Sequence, residues 1–215
     1  MKPSIFNQRC SDCGKEIKVD ADRLKKYTSF LCDDCKKESK QKKIMDKIRK
    51  AIPKKFQNIE TDQVDLLNKL YSKSVFFTGS SGIGKSVLMA SIIKKYIRDG
   101  VDVKWIKYPT FIKELQNAYI KEDKINTAFD IAKRVAEFTG VLAIDDIGIS
   151  KQTDFVKGIT YYLINEREVE MLPTIITSNY SLSQLSKYID DRISSRIAGI
   201  CEIIKLTGKD RRLSK

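Results

Sequence analysis

The residues with the clearest chemistry lie in the run Lys73–Ser86, KSVFFTGSSGIGKS. Within it, Gly79-x-x-x-x-Gly84-Lys85-Ser86 matches the phosphate-binding P-loop pattern without a mismatch. Glycine opens backbone conformations closed to other residues, so Gly79, Ser80, Ser81, Gly82, Ile83 and Gly84 would bring their N–H groups close around phosphate oxygens. Lys85 would reach the β- and γ-phosphates of ATP, and the Ser86 hydroxyl would sit on Mg²⁺. Val87 opens the helix that follows, whose N-terminal dipole favours an anion. A Gly/Ser turn before a lysine is the plainer alternative. The apolar strand before the loop (Val75, Phe76, Phe77) and the helical spacing after it (Val87, Leu88, Ile92, Ile93) favour nucleotide binding.

Further along, Val141-Leu-Ala-Ile-Asp145-Asp146 is an apolar strand ending in two carboxylates. After a P-loop it reads as a Walker B element, with Asp145 holding Mg²⁺ through water and Asp146 polarising the attacking water. Its bland counterpart is an Asp pair starting a turn. Pro173–Ser178 is the next strand and ends in Asn179, at the strand terminus where ligands bind in open α/β sheets. An ordinary turn asparagine fits equally. Arg192 and Arg196 stand four apart on one helix face. Either they pair with Asp190 and Asp191, or one is an arginine finger for a neighbouring subunit's γ-phosphate.

A second chemistry stands at the N-terminus. Cys10-x-x-Cys13 and Cys32-x-x-Cys35 are separated by 18 residues, the spacing of a four-cysteine Zn²⁺ site. A redox dithiol or two disulfides remain the alternatives, although no βαβ pattern surrounds the pairs. Some thirty residues bury too little to fold unaided, so zinc would supply the folding energy. Cys201, in an apolar run, reads as a small core residue. The chain has no histidine, which excludes a His base, a Ser-His-Asp triad and His metal ligands.

The elements that must position these groups alternate. A short amphipathic helix (Val64, Leu67, Leu70, Tyr71) precedes the P-loop strand, and the P-loop helix ends near Gly100. Val101–Ile106 alternates as a second strand, followed by amphipathic helices at Thr110–Tyr119 and Asp154–Glu168. Ile203–Leu206 is the last strand. Strand–helix alternation favours a parallel α/β sheet.

The formal charge is +13, and residues 1–55 carry 17 Lys+Arg against 8 Asp+Glu, so most of the excess lies there. That favours a polyanionic partner, nucleic acid before membrane. Lys36–Lys55 is a charged, helix-permissive segment ended by Pro53, either a solvated linker or a nucleic-acid-contacting arm. No apolar run approaches the about 18 residues of a membrane span, and the N-terminus is polar, which points to the cytoplasm.

Taken together, the set resembles the bacterial helicase loaders of the DnaC/DnaI type within the AAA+ ATPases, and is similar to the helper ATPases of IS21-type transposition. The likeness is carried by Gly79–Ser86, Asp145-Asp146 followed by Gly148, Ile164-Asn-Glu-Arg167, Pro173–Asn179, Asp191-Arg192 with Ser195-Arg196, and Gly208 through Arg212. The compact form points to a phage or mobile element. The resemblance implies that Asn179 contacts the γ-phosphate or water and that Arg196 is the trans-acting finger with Arg192 beside it. It also implies that Arg212, or Arg211, is a cation at the phosphates. Asp146 departs from the glutamate of many AAA+ sites and implies slow, switch-like hydrolysis. Only 19 residues follow Arg196, which leaves no room for the usual helical lid.

The expected fold is therefore α/β: a P-loop AAA+ core with a parallel sheet, lacking a full helical lid, preceded by a small zinc-binding domain. The expected boundaries are 1–37 for the zinc domain, 38–55 for a basic linker helix and 56–215 for the ATPase. The expected function is ATP-controlled loading of the replicative hexameric helicase onto single-stranded DNA, with self-association through the ATPase domain and no membrane. Lys104, Lys107, Tyr108 and Lys113 are the candidate DNA contacts, while Trp105 and Phe111 are more simply core. The alternatives are a transposition helper ATPase acting on duplex DNA with a transposase, or a non-catalytic ATP-sensing adaptor of the helicase.

Overall fold

The computed structural model describes residues 5–122 and 125–210, with side chains described for all of these except 120–122 and 125–126. The chain divides into two compact units, one ending at Lys47 and one beginning at Ile48.

In the first unit, strands β1 (Ile5–Arg9) and β2 (Glu16–Asp20) pair antiparallel, with Arg9 opposite Glu16. The connecting turn holds the first cysteine pair. Cys10 N–H donates to Lys15 O at 2.8 Å, and Gly14, at φ +74, closes back on Cys10 O at 2.9 Å. Asp20 caps helix α1 (Ala21–Lys26) by accepting from Arg23 N–H at 2.8 Å. Helix α2 (Asp33–Ala51) starts within the second cysteine pair, with Asp33 and Asp34 in its first turn where carboxylates suit the dipole. Ser11 ties the two cysteine turns together: its hydroxyl donates to Phe30 O and accepts from Phe30 N–H, both at 3.1 Å.

The second unit opens on the end of α2, a 3₁₀ turn at Lys54–Phe56 and helix α3 (Val64–Leu70). Leu70 is buried, but Val64 is exposed, so the apolar face expected there is shorter than its spacing implies. There follow β3 (Ser74–Thr78), α4 (Lys85–Arg98), β4 (Val103–Lys107), α5 (Tyr108–Glu122), α6 (Ile125–Ala136), β5 (Val141–Asp145), α7 (Asp154–Val169), β6 (Thr174–Ser178), α8 (Leu182–Tyr188), α9 (Asp191–Ile200) and β7 (Cys201–Lys205). The five strands form one parallel sheet in the order β4-β5-β6-β3-β7. Every residue of β5 and β6 is buried, as expected for parallel strands covered on both faces. The order sets the ends of β5, β6 and β3 side by side, and these are the strands that carry Asp145, Asn179 and the P-loop.

Two buried cations hold this frame. Lys94 on α4 is 2% exposed and donates its ammonium to Ile59 O, tying the segment before α3 to the P-loop helix. Burial lowers its pKa. Arg167 is fully buried on the apolar stripe of α7 with Val156, Ile159, Leu163 and Ile164. Its guanidinium donates to Ala136 O (3.1 Å), Phe138 O (2.8 Å), Gly140 O (3.0 Å), Pro173 O (2.8 Å) and the Thr174 hydroxyl (2.7 Å). The rigid five-donor fork thus satisfies the carbonyls of the turns leading into β5 and β6. Burial lowers its pKa to about 10, still well above neutrality. Arg167→Met is expected to cost on the order of 4 kcal/mol, since several buried acceptors are left unpaired at about 1–3 kcal/mol each. Urea unfolding checks this, and a loss within about 1 kcal/mol of zero would contradict it.

Candidate functional site: a phosphate-binding loop and a four-cysteine cluster

Beyond β3 the chain must turn sharply beside the exit of β7. Leu206 N–H donates to Thr78 O at 2.8 Å, and a Cβ at Gly79 would collide with the Leu206 carbonyl oxygen. Gly79 (φ +147) and Gly84 (φ +110) take conformations that side chains disfavour, which is the physical reason for their spacing. The loop opens on a cavity of about 300 Å³ lined by Ser81, Gly82, Gly84, Lys85, Ser86 and Val87, with Asp146 and Asn179 across from them. Ser80 contributes its carbonyl to Lys85, and Ile83 is buried beneath the loop. Lys55, Phe56, Ile59 and Ile149, which the sequence reading did not single out, complete the lining.

The charged groups are wired together. Lys85 Nζ donates to Gly79 O and Ser80 O, both at 2.8 Å, and to Asn179 Oδ1 at 2.7 Å. The Ser86 hydroxyl donates to Asp145 Oδ1 at 2.8 Å, and the Thr177 hydroxyl donates to the same oxygen at 2.7 Å. Thr177 Oγ1 in turn accepts from Asp146 N–H at 2.9 Å. Burial pushes the Asp145 carboxyl above its ordinary value, while the bonds from Thr177 and Ser86 oppose that shift. Asp146 sits at φ +63, a left-handed conformation that aspartate tolerates better than most side chains. Thr177 fixes the Asp145 carboxylate and the Asp146 backbone amide, and was missed from the sequence. The available signal was a hydroxyl two residues before Asn179, at the end of a strand whose centre is Ile175-Ile176.

The structure places Arg192 and Arg196 on the α7–α9 surface, outside the lining of this cavity. Arg196 pairs with Glu168, donates to the Tyr161 hydroxyl at 2.8 Å and lies 5.0 Å from that ring's centroid. Arg192 lies 5.2 Å from the same ring and forks onto Asp190 at 3.0 and 2.8 Å. This pairing holds the Asp190 carboxyl far below its ordinary value. Arg211 and Arg212 lie outside the described residues.

Of the candidate DNA contacts, Tyr108 is corrected. It is fully buried, with its hydroxyl 2.6 Å from that of Thr160, so its ring cannot stack on a strand. Lys104 lies 5.2 Å from the Phe138 ring centroid, whereas Lys107 and Lys113 are exposed. Phe111 is core, and Trp105 is half-buried, stacked on Phe56 at 5.7 Å.

In the first unit, Cys10, Cys13, Cys32 and Cys35 bring their sulfurs within 4.8 Å of one another. None forms a disulfide. Tetrahedral zinc with metal–sulfur bonds of about 2.3 Å places sulfurs about 3.8 Å apart, and the Cys13 and Cys32 sulfurs are 3.7 Å apart. Backbone N–H groups point at the sulfurs: Cys32 N–H at Cys10 Sγ (3.3 Å) and Cys35 N–H at Cys32 Sγ (3.4 Å). Such donors, those of Cys13 first and Cys32 next, lower the Cys10 thiol to about 6, whereas side-chain hydrogen bonds with Cys13 and Cys32 raise that of Cys35; a bound metal would favour the thiolate at each. The set fits a zinc ion.

A parallel sheet with a P-loop between β3 and α4, and a paired-carboxylate strand two positions away, defines a P-loop ATP-binding domain of the AAA+ class. The chain belongs to the family described as IstB-like ATP binding protein, whose model matches residues 54–215. It is 26% identical over 153 residues to the replicative helicase loader DnaI of Bacillus subtilis, covering 65% of this chain and 48% of that protein. The chain spans about half the length of the curated relatives it matches. Among solved structures, a primosome component from Streptococcus pyogenes superposes with a TM-score of 0.61 at 25% identity, covering 80% of this chain and 99% of that one. The DnaC helicase loader superposes with a TM-score of 0.60 at 23% identity, covering 72% of this chain and 100% of that one. Among the described residues, no helix is long and apolar enough to cross a membrane.

Proposed function

We propose that the chain is an ATP-switched replication accessory protein that binds the replicative hexameric helicase and loads it onto single-stranded DNA. The observation that carries the reading is the hydrogen-bonded chain Ser86–Asp145–Thr177–Asp146 beside the Lys85–Asn179 pair, in a protein similar to helicase loaders. ATP binding would exchange the carbonyl partners of Lys85 for phosphate oxygens. Ser86 and Asp145 would hold Mg²⁺, which when bound neutralises phosphate charge. Asp146, with its backbone anchored on Thr177, would polarise the attacking water, and Asn179 would orient that water or the γ-phosphate. Arg196, with Arg192 beside it, would serve a neighbouring subunit, so the domain self-associates through this face. The four-cysteine unit would hold zinc and dock on the helicase.

The test is a mass measurement of the protein mixed with its host's replicative helicase, in ATP and in ADP. The expected result is a complex whose mass changes with the nucleotide; absence of a complex in both would end the loader reading. Asp146→Asn is expected to retain ATP binding and reduce turnover by about a hundredfold or more, the order seen when one transition-state group is lost. No turnover in either protein would favour the non-catalytic adaptor. Because the sequence is also similar to the helper ATPases of IS21-type transposition, a filament on duplex DNA without a helicase complex would instead favour the transposition helper.

A further inference from the structure

We infer that a cleft beside β4 in the second unit, separate from the ATP cavity, is a binding site for the phosphodiester backbone of single-stranded nucleic acid. The choice of ligand rests on the single-stranded DNA part of the reading above; the site itself rests on the following observations. The cleft measures about 650 Å³, and Arg49, Lys50, Lys54 and Lys107 line it. Among the described residues, no acidic side chain lines this cleft. The described charged residues that line it are therefore of one sign.

The wall is also built. Gln57 Nε2 donates to Arg49 O at 3.1 Å and to Ile52 O at 2.9 Å, closing the last turn of α2 just before Pro53. Arg49, Lys50 and Lys54 thus stand on a pinned turn, and Lys107 faces them from the end of β4. Trp105 lines the same cleft, and its indole N–H is buried with no acceptor among the described residues. A buried donor without a partner is costly, and a phosphate oxygen supplies the acceptor after a small shift of the ring. Exposed cations grouped around a half-buried aromatic side chain suit a flexible single strand, whose backbone can follow them, better than a rigid duplex. The 3₁₀ turn Lys54–Phe56 separates this cleft from the ATP cavity: Lys54 lines the first, Lys55 and Phe56 the second. Lys107 also acts electrostatically on Asp145, so an anion in the cleft lies within electrical reach of the ATP site.

Trp105 is the single tryptophan of the chain, so intrinsic fluorescence of the full-length protein reports this cleft directly. Titration with oligothymidylate is expected to change that signal saturably. Lys50→Glu with Lys54→Glu is expected to weaken binding at least about tenfold and to lower the slope of log K against log salt by roughly 1.4, at about 0.7 per phosphate contact on a single strand. The nucleotide-induced thermal shift is expected to stay unchanged, and Lys25→Glu with Lys26→Glu on α1 serves as the charge control. A silent tryptophan, an unchanged affinity in the cleft variant, or preference for duplex or polyglutamate over oligothymidylate would overturn the proposal. If wild type binds oligothymidylate but the cleft variant does so equally well, the cleft assignment fails and the DNA reading stands. If wild type binds none, both fail, while the helicase mass measurement remains independent of either outcome.

Discussion

Removing the metal from the N-terminal unit, by chelation or by Cys10→Ser with Cys13→Ser, is expected to unfold that unit while the ATP-binding unit stays folded. Apart from its cysteines, the apolar side chains buried in this unit among the described residues are Val19 and Phe30. Burying one such side chain stabilises by about 1.5–3 kcal/mol, whereas ordering each residue's backbone costs about 1–2 kcal/mol. A unit of this size with so small a core runs a large deficit. Structural zinc supplies an apparent ~10–16 kcal/mol at neutral pH, the scale needed to offset it. Metal analysis should find about one zinc per chain in wild type and none in the double variant. Hydrogen exchange should show protection lost across β1, β2 and α1, with β3 and β5 unaffected. A metal-free protein that keeps the hairpin protected would refute the assignment.

Lys85→Ala is expected to abolish nucleotide binding at concentrations that saturate wild type. Its ammonium is the one cation among the P-loop side chains, and charge-assisted bonds contribute about 1.5–3 kcal/mol each. Losing two of them to phosphate oxygens weakens affinity by roughly a hundredfold to ten-thousandfold. At a ligand concentration a hundred times Kd, wild type gains about 2.7 kcal/mol of stability. The variant should gain close to nothing under the same conditions, so the thermal shift on adding nucleotide should vanish. The nucleotide-free variant should nevertheless stay folded, because the Lys85 partners in that state are the loop's own carbonyls and Asn179. A thermal shift equal to that of wild type would contradict this role.

The P-loop and the cysteine spacing were legible because their geometry is local: a few glycines or two short turns encode the site within one stretch. The parallel sheet was legible from the alternation of apolar strands with amphipathic helices. What escaped depends on long-range pairing. Thr177 matters because its hydroxyl meets Asp145, 32 positions away. Arg167 read as part of a family resemblance with no physical role, since its partners are carbonyls from irregular turns that no spacing rule encodes. Helix α6 was missed although Ala128, Ile131, Ala132, Val135 and Ala136 keep helical spacing and make the helix strongly amphipathic. The β1–β2 hairpin was missed because its strands are short and mostly exposed. Tyr108 was misread because a tyrosine between lysines suggests a surface, while the turn from β4 into α5 points it inward.

The left-handed backbone at Asp146 bears on which acids this lineage can sample. Aspartate and asparagine accept that conformation most readily, so Asp146→Asn changes charge with little backbone penalty and makes a clean chemical probe. Glutamate would extend the carboxylate toward water but must adopt a backbone it disfavours, while Thr177 holds the Asp146 amide in place. A glutamate at this position is therefore accommodated without strain only if the turn relaxes as well, so the two changes are coupled. The geometry of one peptide unit thus constrains which acid can stand at the end of this strand.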